Sequence, residues 1–138
     1  MESSAANRNE KQAEILVVDD KPNNRLLLNT YLISAGYEVR FAVTGEEALA
    51  SVIRNPPHLI ILDVLLPQMN GYEVCRTLKM TDHLKFIPVI LVTALHGEEE
   101  RLKGINAGAD DFIGRPINKL ELLTRVRSLI RISGSVLA

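Results

Sequence analysis

The chain has 138 residues, 46% of them hydrophobic and 24% charged, with a formal net charge of -1, which suits a single globular domain with a full core. So even a charge balance gives no electrostatic basis for attraction to nucleic acid or to a membrane surface. One cysteine, Cys75, excludes an internal disulfide and a cysteine-rich zinc site and reads as a small packing residue.

Residues 1–13 are polar, small and charged, with Ser3, Ser4, Asn7, Arg8 and Asn9 among them, and read as a flexible N-terminal tail. The domain is expected over 14–132, leaving 133–138 as a C-terminal tail or the start of a linker. Ile15-Leu16-Val17-Val18 is a β-branched run, the signature of a buried strand, and it ends in Asp19-Asp20. Pro22 then suits the first turn of a helix that places Leu28, Leu32 and Ala35 inward and stops at Gly36. Tyr37 to Val43 alternates at first, as a half-covered outer strand does. Thr44, with Glu47 three residues on, caps a second helix, for which Ala48, Leu49, Val52 and Ile53 give an inward stripe before Asn55-Pro56-Pro57.

Leu59-Ile60-Ile61-Leu62 runs straight into Asp63 and then into a loop bounded by Pro67 and Gly71. Such a run reads as a strand buried on both faces, with Asp63 at its C-terminal end. Asn70-Gly71 opens a third helix with Val74, Cys75 and Leu78 inward. Ile87 to Val92 repeats the apolar pattern, with Pro88 at the strand start, and ends in Thr93-Ala94. Glu98 to Ala107 reads as a fourth helix with Leu102 and Ile105 inward; its three leading glutamates suit the helix dipole as start charges. Asp110 to Gly114 is a short last strand leading to Arg115-Pro116, and Asn118 caps a final helix whose apolar residues are Leu120, Leu123, Val126, Leu129 and Ile130.

Strand and helix thus alternate five times with no hairpin signal, which implies an α/β fold: a parallel sheet covered by helices on both faces. In such sheets ligands bind at the C-terminal edge of the strands. That edge would gather Asp19-Asp20, Asp63, Thr93 and Arg115-Pro116. Alone, Asp19-Asp20 reads as a turn and helix cap, Thr93 as a strand-end hydroxyl and Phe112 as core packing. Clustered carboxylates, however, need a compensating cation. His58, His83 and His96 lack a metal-ligand spacing.

The ordered set of an acidic pair after strand one, an Asp after strand three with Pro67 and Gly71 following, Thr93-Ala94 after strand four and a basic residue with Pro after strand five resembles the receiver domain of two-component response regulators. The resemblance covers about Glu14 to Ile132. It implies a (βα)5 flavodoxin-like three-layer sandwich with a central parallel sheet of order 2-1-3-4-5, a topology carried over from the family. It also implies that Asp63 is the phosphoacceptor, and that Mg²⁺ is held by Asp20, Asp63, the Leu65 backbone carbonyl and Asp19, directly or through water. Thr93 would donate its hydroxyl to the phosphoryl group, Ala94 would leave room for it, and Phe112 matches the family's switch aromatic. In the family Pro116 follows a cis peptide bond.

Arg115 departs from the pattern, because the family carries Lys there. Arg keeps the charge but is longer and planar, which puts both pairing with Asp63 and contact with the phosphoryl oxygen in doubt. The expected consequence is slower phosphorylation or weaker coupling to the switch.

The function implied is a switch that accepts a phosphoryl group from a sensor histidine kinase or phosphotransfer protein and changes the surface of helix four, strand five and helix five. Its catalysis is confined to its own phosphorylation and dephosphorylation. The rival is a degenerate receiver acting as a phosphorylation-independent docking module, for which Arg115 is the sole sequence support. An aspartyl-phosphate hydrolase would need a second acid just after the nucleophile, where Leu65 stands. The last helix resembles that of receivers that continue into an output domain, such as cyclic-di-nucleotide enzymes. The exposed face of the last two helices offers a homodimer through the same helix four, strand five and helix five surface, direct nucleic-acid binding is not expected, and the lack of a signal-peptide core or membrane-length apolar run points to the cytoplasm.

Overall fold

The computed structural model describes residues 13–95 and 97–137. Along this chain run β1 (Glu14–Val18), α1 (Pro22–Ser34), β2 (Glu38–Ala42), α2 (Gly45–Arg54), β3 (Leu59–Asp63), α3 (Gly71–Lys79), β4 (Val89–Thr93), α4 (Glu98–Asn106), β5 (Asp111–Gly114) and α5 (Lys119–Leu137). The strands form one parallel sheet, as their alternation with helices implied, in the order β2-β1-β3-β4-β5 that the family resemblance implied. Residues 1–12, most of the expected tail, lie outside the described residues. Ala13, expected as the tail's last residue, is instead buried, and its carbonyl accepts from the Glu38 amide at 3.0 Å.

Side chains alternate across a strand, so each buried strand feeds two cores. Leu16, Val18, Ile60, Leu62, Val89 and Leu91 face α2 and α3, with Ala48, Val52, Val74, Cys75 and Leu78 against them. Ile15, Val17, Leu59, Ile61, Ile90, Val92 and Ile113 face α1 and α5, where Leu28, Leu32, Leu122 and Val126 close the layer. Three layers result. Each fully buried Leu, Ile or Val contributes roughly 1.5–3 kcal/mol relative to exposure, so the central strands β1, β3 and β4 anchor the fold. Caps fix where the helices begin: Thr44 Oγ1 accepts from the Glu47 amide at 3.0 Å, Asn70 and Glu73 form a reciprocal capping box, and Asn118 Oδ1 accepts from the Glu121 amide at 2.8 Å.

Four inward assignments are corrected. Leu102 is 49% exposed and Ile105 59%, because α4 meets the sheet through small residues, Gly104 within the helix and Ala107 at its C-cap. At about 100° per residue, Ile105 is turned a quarter of the way round from Gly104 and Leu102 faces away. Ile53 is exposed for the same reason: Ala48, Ser51 and Val52 define the buried line of α2. Among the described side chains of α5 the buried pair is Leu122 and Val126, which leaves Leu120 on the outer side. The helix runs on past Ile132, the expected limit of the domain, to Leu137.

Candidate functional site

In a parallel sheet all strands end on one edge, so register alone brings distant residues together. Asp63 pairs with Val92, and Thr93 with Gly114, one residue before Arg115. Asp19 and Asp20 directly follow β1. Asp19, Asp63 and Thr93 are buried, while the Asp20 side chain is 34% exposed. One carboxylate oxygen from each of Asp19, Asp20 and Asp63 lies within 4.8 Å of the others.

The loop after β3 is packed so tightly that only glycine fits at its far end. A Cβ on Gly71 would stand 2.4 Å from the Asp63 carbonyl oxygen and 2.8 Å from Val64 Cα. The Gly71 amide also donates to the Val64 carbonyl at 2.9 Å, closing the loop against the strand end. The backbone at Asp63 and Val64 is thereby held against the start of α3.

Three acids this close require counter-charges, and the site supplies them unevenly. Arg115 Nη2 meets Asp19 Oδ2 at 2.7 Å, while Asp19 Oδ1 accepts from the Lys21 amide at 2.9 Å and from Asn24 Nδ2 at 3.4 Å. Arg25 Nη1 donates to the Asp19 backbone carbonyl at 2.8 Å. The Lys21 ammonium stands 3.6 Å from Asp20 Oδ1. Asp63 receives the Leu65 amide on Oδ1, at 3.4 Å. Burial, and then the negative charge of Asp19, push its carboxyl up to about 6; Arg115, the Leu65 amide and Lys21 pull the other way.

The sequence left open whether Arg115 pairs with Asp63, and the structure seats its guanidinium on Asp19. Lys21, Asn24 and Arg25 were not singled out from sequence. Their signal was position: they fill the turn and first helical residues directly after the acidic pair, where amides and side chains point back at the strand end. Leu65 joins the site through its amide, and the residue is 47% exposed. Thr93 Oγ1 accepts from the Leu95 amide at 3.0 Å. The Arg115–Pro116 peptide bond is cis.

Phe112 lies away from the acids. It packs on the α2–α3 side of the sheet, its ring against Gly104. Beside it a cleft of about 420 Å³ runs between α4, β5 and α5, lined by Arg101, Gly104, Ile105, Asp111, Phe112 and Arg125. Asp111 and Arg125 are paired at 2.5 Å, which raises the Arg125 guanidinium further. The Tyr72 hydroxyl on α3 bonds the carbonyl and the carboxylate of Glu100 on α4, at 3.1 and 2.8 Å. Burial and that carboxylate raise the Tyr72 phenol well above its usual range. The histidines serve elsewhere: His58 Nδ1 accepts from the Glu14 amide at 2.9 Å at the opposite sheet edge, His83 is exposed, and His96 lies outside the described residues.

Chemically, the three acids form a set of hard oxygen donors with more negative charge than Arg115 and Lys21 offset, which fits a small divalent cation such as Mg²⁺. Among the described residues no helix is long and apolar enough to cross a membrane.

Comparison with known proteins bears on the same residues. The family model described as the response regulator receiver domain matches residues 15–127. The chain is 47% identical over 119 residues to the response regulator PleD of Caulobacter vibrioides, covering 86% of this chain and 26% of PleD. It is 39% identical over 117 residues to the transcriptional regulatory protein GltR of Pseudomonas aeruginosa, covering 85% of this chain and 48% of that protein. The chain thus spans half or less of these relatives. Among solved structures, the signal receiver domain of a signal transduction histidine kinase from Syntrophus aciditrophicus superposes with a TM-score of 0.82 at 39% identity, covering 86% of this chain and 90% of that one.

Proposed function

We propose, on the premise that this chain belongs to the response regulator receiver family of two-component signalling, that it is a phosphorylation-dependent switch whose acceptor is Asp63. The observation that carries the reading is the meeting of Asp63 with two further acids, Thr93 and Arg115 at one sheet edge.

An Asp63 carboxylate oxygen attacks the phosphorus of a phosphohistidine. A new O–P bond forms, the N–P bond to the donor imidazole breaks, and an acyl phosphate remains. Asp20 and Asp63, with the Leu65 carbonyl and Asp19 directly or through water, would hold Mg²⁺. When bound, the ion offsets the negative charge of the carboxylates and the phosphoryl oxygens. Asp19 and its Arg115 partner set the field around the acceptor. Thr93 donates its hydroxyl to a phosphoryl oxygen, and Ala94, small and exposed, leaves room for the group. Loss of the group by water attack on phosphorus regenerates the carboxylate, so the domain's catalysis is confined to its own phosphorylation state.

Movement of the Thr93 hydroxyl towards the phosphoryl group frees space into which Phe112 turns, altering the α4–β5–α5 surface. The donor is a sensor histidine kinase or phosphotransfer protein. The receiver of the change is an output domain, an effector or a second copy meeting it through that surface, and the protein works in the cytoplasm. A docking module that has given up phosphate rests on Arg115 alone, and the retained acid trio speaks against it. Reaction with acetyl phosphate and Mg²⁺ followed by hydroxylamine tests the acceptor. A hydroxamate at Asp63 supports the reading, and a folded protein that forms none contradicts it.

A further inference from the structure

We propose that Arg115 is a built-in counter-ion for Asp19, so that the acidic site takes up a divalent cation in competition with a guanidinium. This rests on the reading of the acid trio as a cation site and adds what regulates its affinity. Three observations carry it. The contact is short and enclosed: 2.7 Å from Nη2 to Oδ2, with the Arg115 side chain 16% and the Asp19 side chain 1% exposed. The arginine is rooted, because its amide donates to the Thr93 carbonyl at 2.9 Å, which fixes the start of the side chain at the sheet edge. Asp19 is engaged on both oxygens, Oδ1 by Lys21 and Asn24 and Oδ2 by Arg115.

The trio is therefore asymmetric. Asp19 is neutralised within the fold, Asp20 faces an ammonium that is 61% exposed, and Asp63 has the Leu65 amide at 3.4 Å. A cation entering the site meets two available carboxylates, and drawing on Asp19 weakens an enclosed ion pair. A planar guanidinium is suited to holding such a pair, whereas a lysine ammonium is a hydrated point charge on a flexible stem. Attraction between opposite charges this close strengthens as water is excluded, and the pair is enclosed. Because the ion also draws on Asp20 and Asp63, removing the guanidinium is expected to change the affinity of the site about tenfold.

The test is Mg²⁺ binding by titration calorimetry, with melting in the presence and absence of Mg²⁺, on the parent, Arg115→Met, Arg115→Lys, Asp19→Asn, Asp63→Asn and the Asp19→Asn/Arg115→Met double variant. Arg115→Met should bind Mg²⁺ about tenfold more tightly than the parent, with Arg115→Lys between them. In the Asp19→Asn background the Met substitution should bring no gain, because its partner is gone. An unchanged affinity in Arg115→Met, or an equal gain with Asp19 replaced, overturns the counter-ion and leaves the cation site standing. Absence of Mg²⁺ binding in the parent and every variant, with Asp63→Asn indistinguishable from them, overturns the cation site itself. If Arg115→Met does not fold, Arg115→Lys carries the same comparison, and parental affinity there overturns the proposal.

Discussion

Gly104 on α4 approaches Phe112 on β5 so closely that a Cβ at position 104 would stand 2.9 Å from the ring and 3.4 Å from Leu91 Cδ1. The helix is docked by the absence of a side chain. This gives the Phe112 ring a tight neighbour on α4.

Gly104→Ala therefore sets two effects against each other. Alanine in a helix gains up to about 1 kcal/mol over glycine, while overpacking costs roughly 1–3 kcal/mol. The ring is large and packed, so overpacking should win, with a net loss of about 1 kcal/mol in urea unfolding. A stabilised variant would show that Phe112 yields freely.

Gly71→Ala should be far more severe. Its Cβ would meet backbone atoms, the Asp63 carbonyl oxygen and Val64 Cα, which cannot rotate aside as a side chain does. A loss of about 3 kcal/mol or more is expected, in line with the severe end of single substitutions. Chemical unfolding checks it, and a loss below about 1 kcal/mol would mean the loop is looser than described.

The Asp63 carboxyl, raised from 3.8 to about 6, links stability to pH. An acid whose folded value lies above its unfolded one holds its proton longer in the native state. Ion-free stability therefore falls as pH rises through about 4 to 6, and the cost persists at pH 7. Asp63→Asn removes it, so the variant should be the more stable protein at pH 7 in EDTA, by up to about 3 kcal/mol. The difference should vanish near pH 4. Urea unfolding at pH 4, 5.5 and 7 measures this; a variant less stable than the parent at pH 7 would contradict it.

Tyr72→Phe removes the hydroxyl that ties α3 to Glu100 in the first turn of α4. The expected loss is about 0.5–1.5 kcal/mol. Amide exchange in that first turn should also quicken, whereas unchanged exchange would make the bond incidental to α4.

Much of this was legible in the chain itself. Leu59 to Leu62 and Val89 to Val92 are unbroken apolar runs, and such runs allow few readings other than strands buried on both faces. Parallel strands in that order put Asp19, Asp20, Asp63 and Thr93 on one edge. Leu102 and Ile105 misled because an amphipathic pattern cannot show that a helix docks through a glycine. The Arg115 partner was illegible for a related reason: choosing between Asp19 and Asp63 depends on a few ångströms of side-chain reach between residues 96 apart in the chain. Lys21, Asn24 and Arg25 were overlooked because their link to Asp19 lies in turn geometry rather than in residue type.

Intact mass after incubation with acetyl phosphate, with and without Mg²⁺, on the parent beside Asp63→Asn, tests the central claim most directly. The account predicts a single phosphoryl adduct on the parent that depends on Mg²⁺ and is absent from the variant. An equal adduct on Asp63→Asn, or none on the folded parent at saturating Mg²⁺, would contradict it.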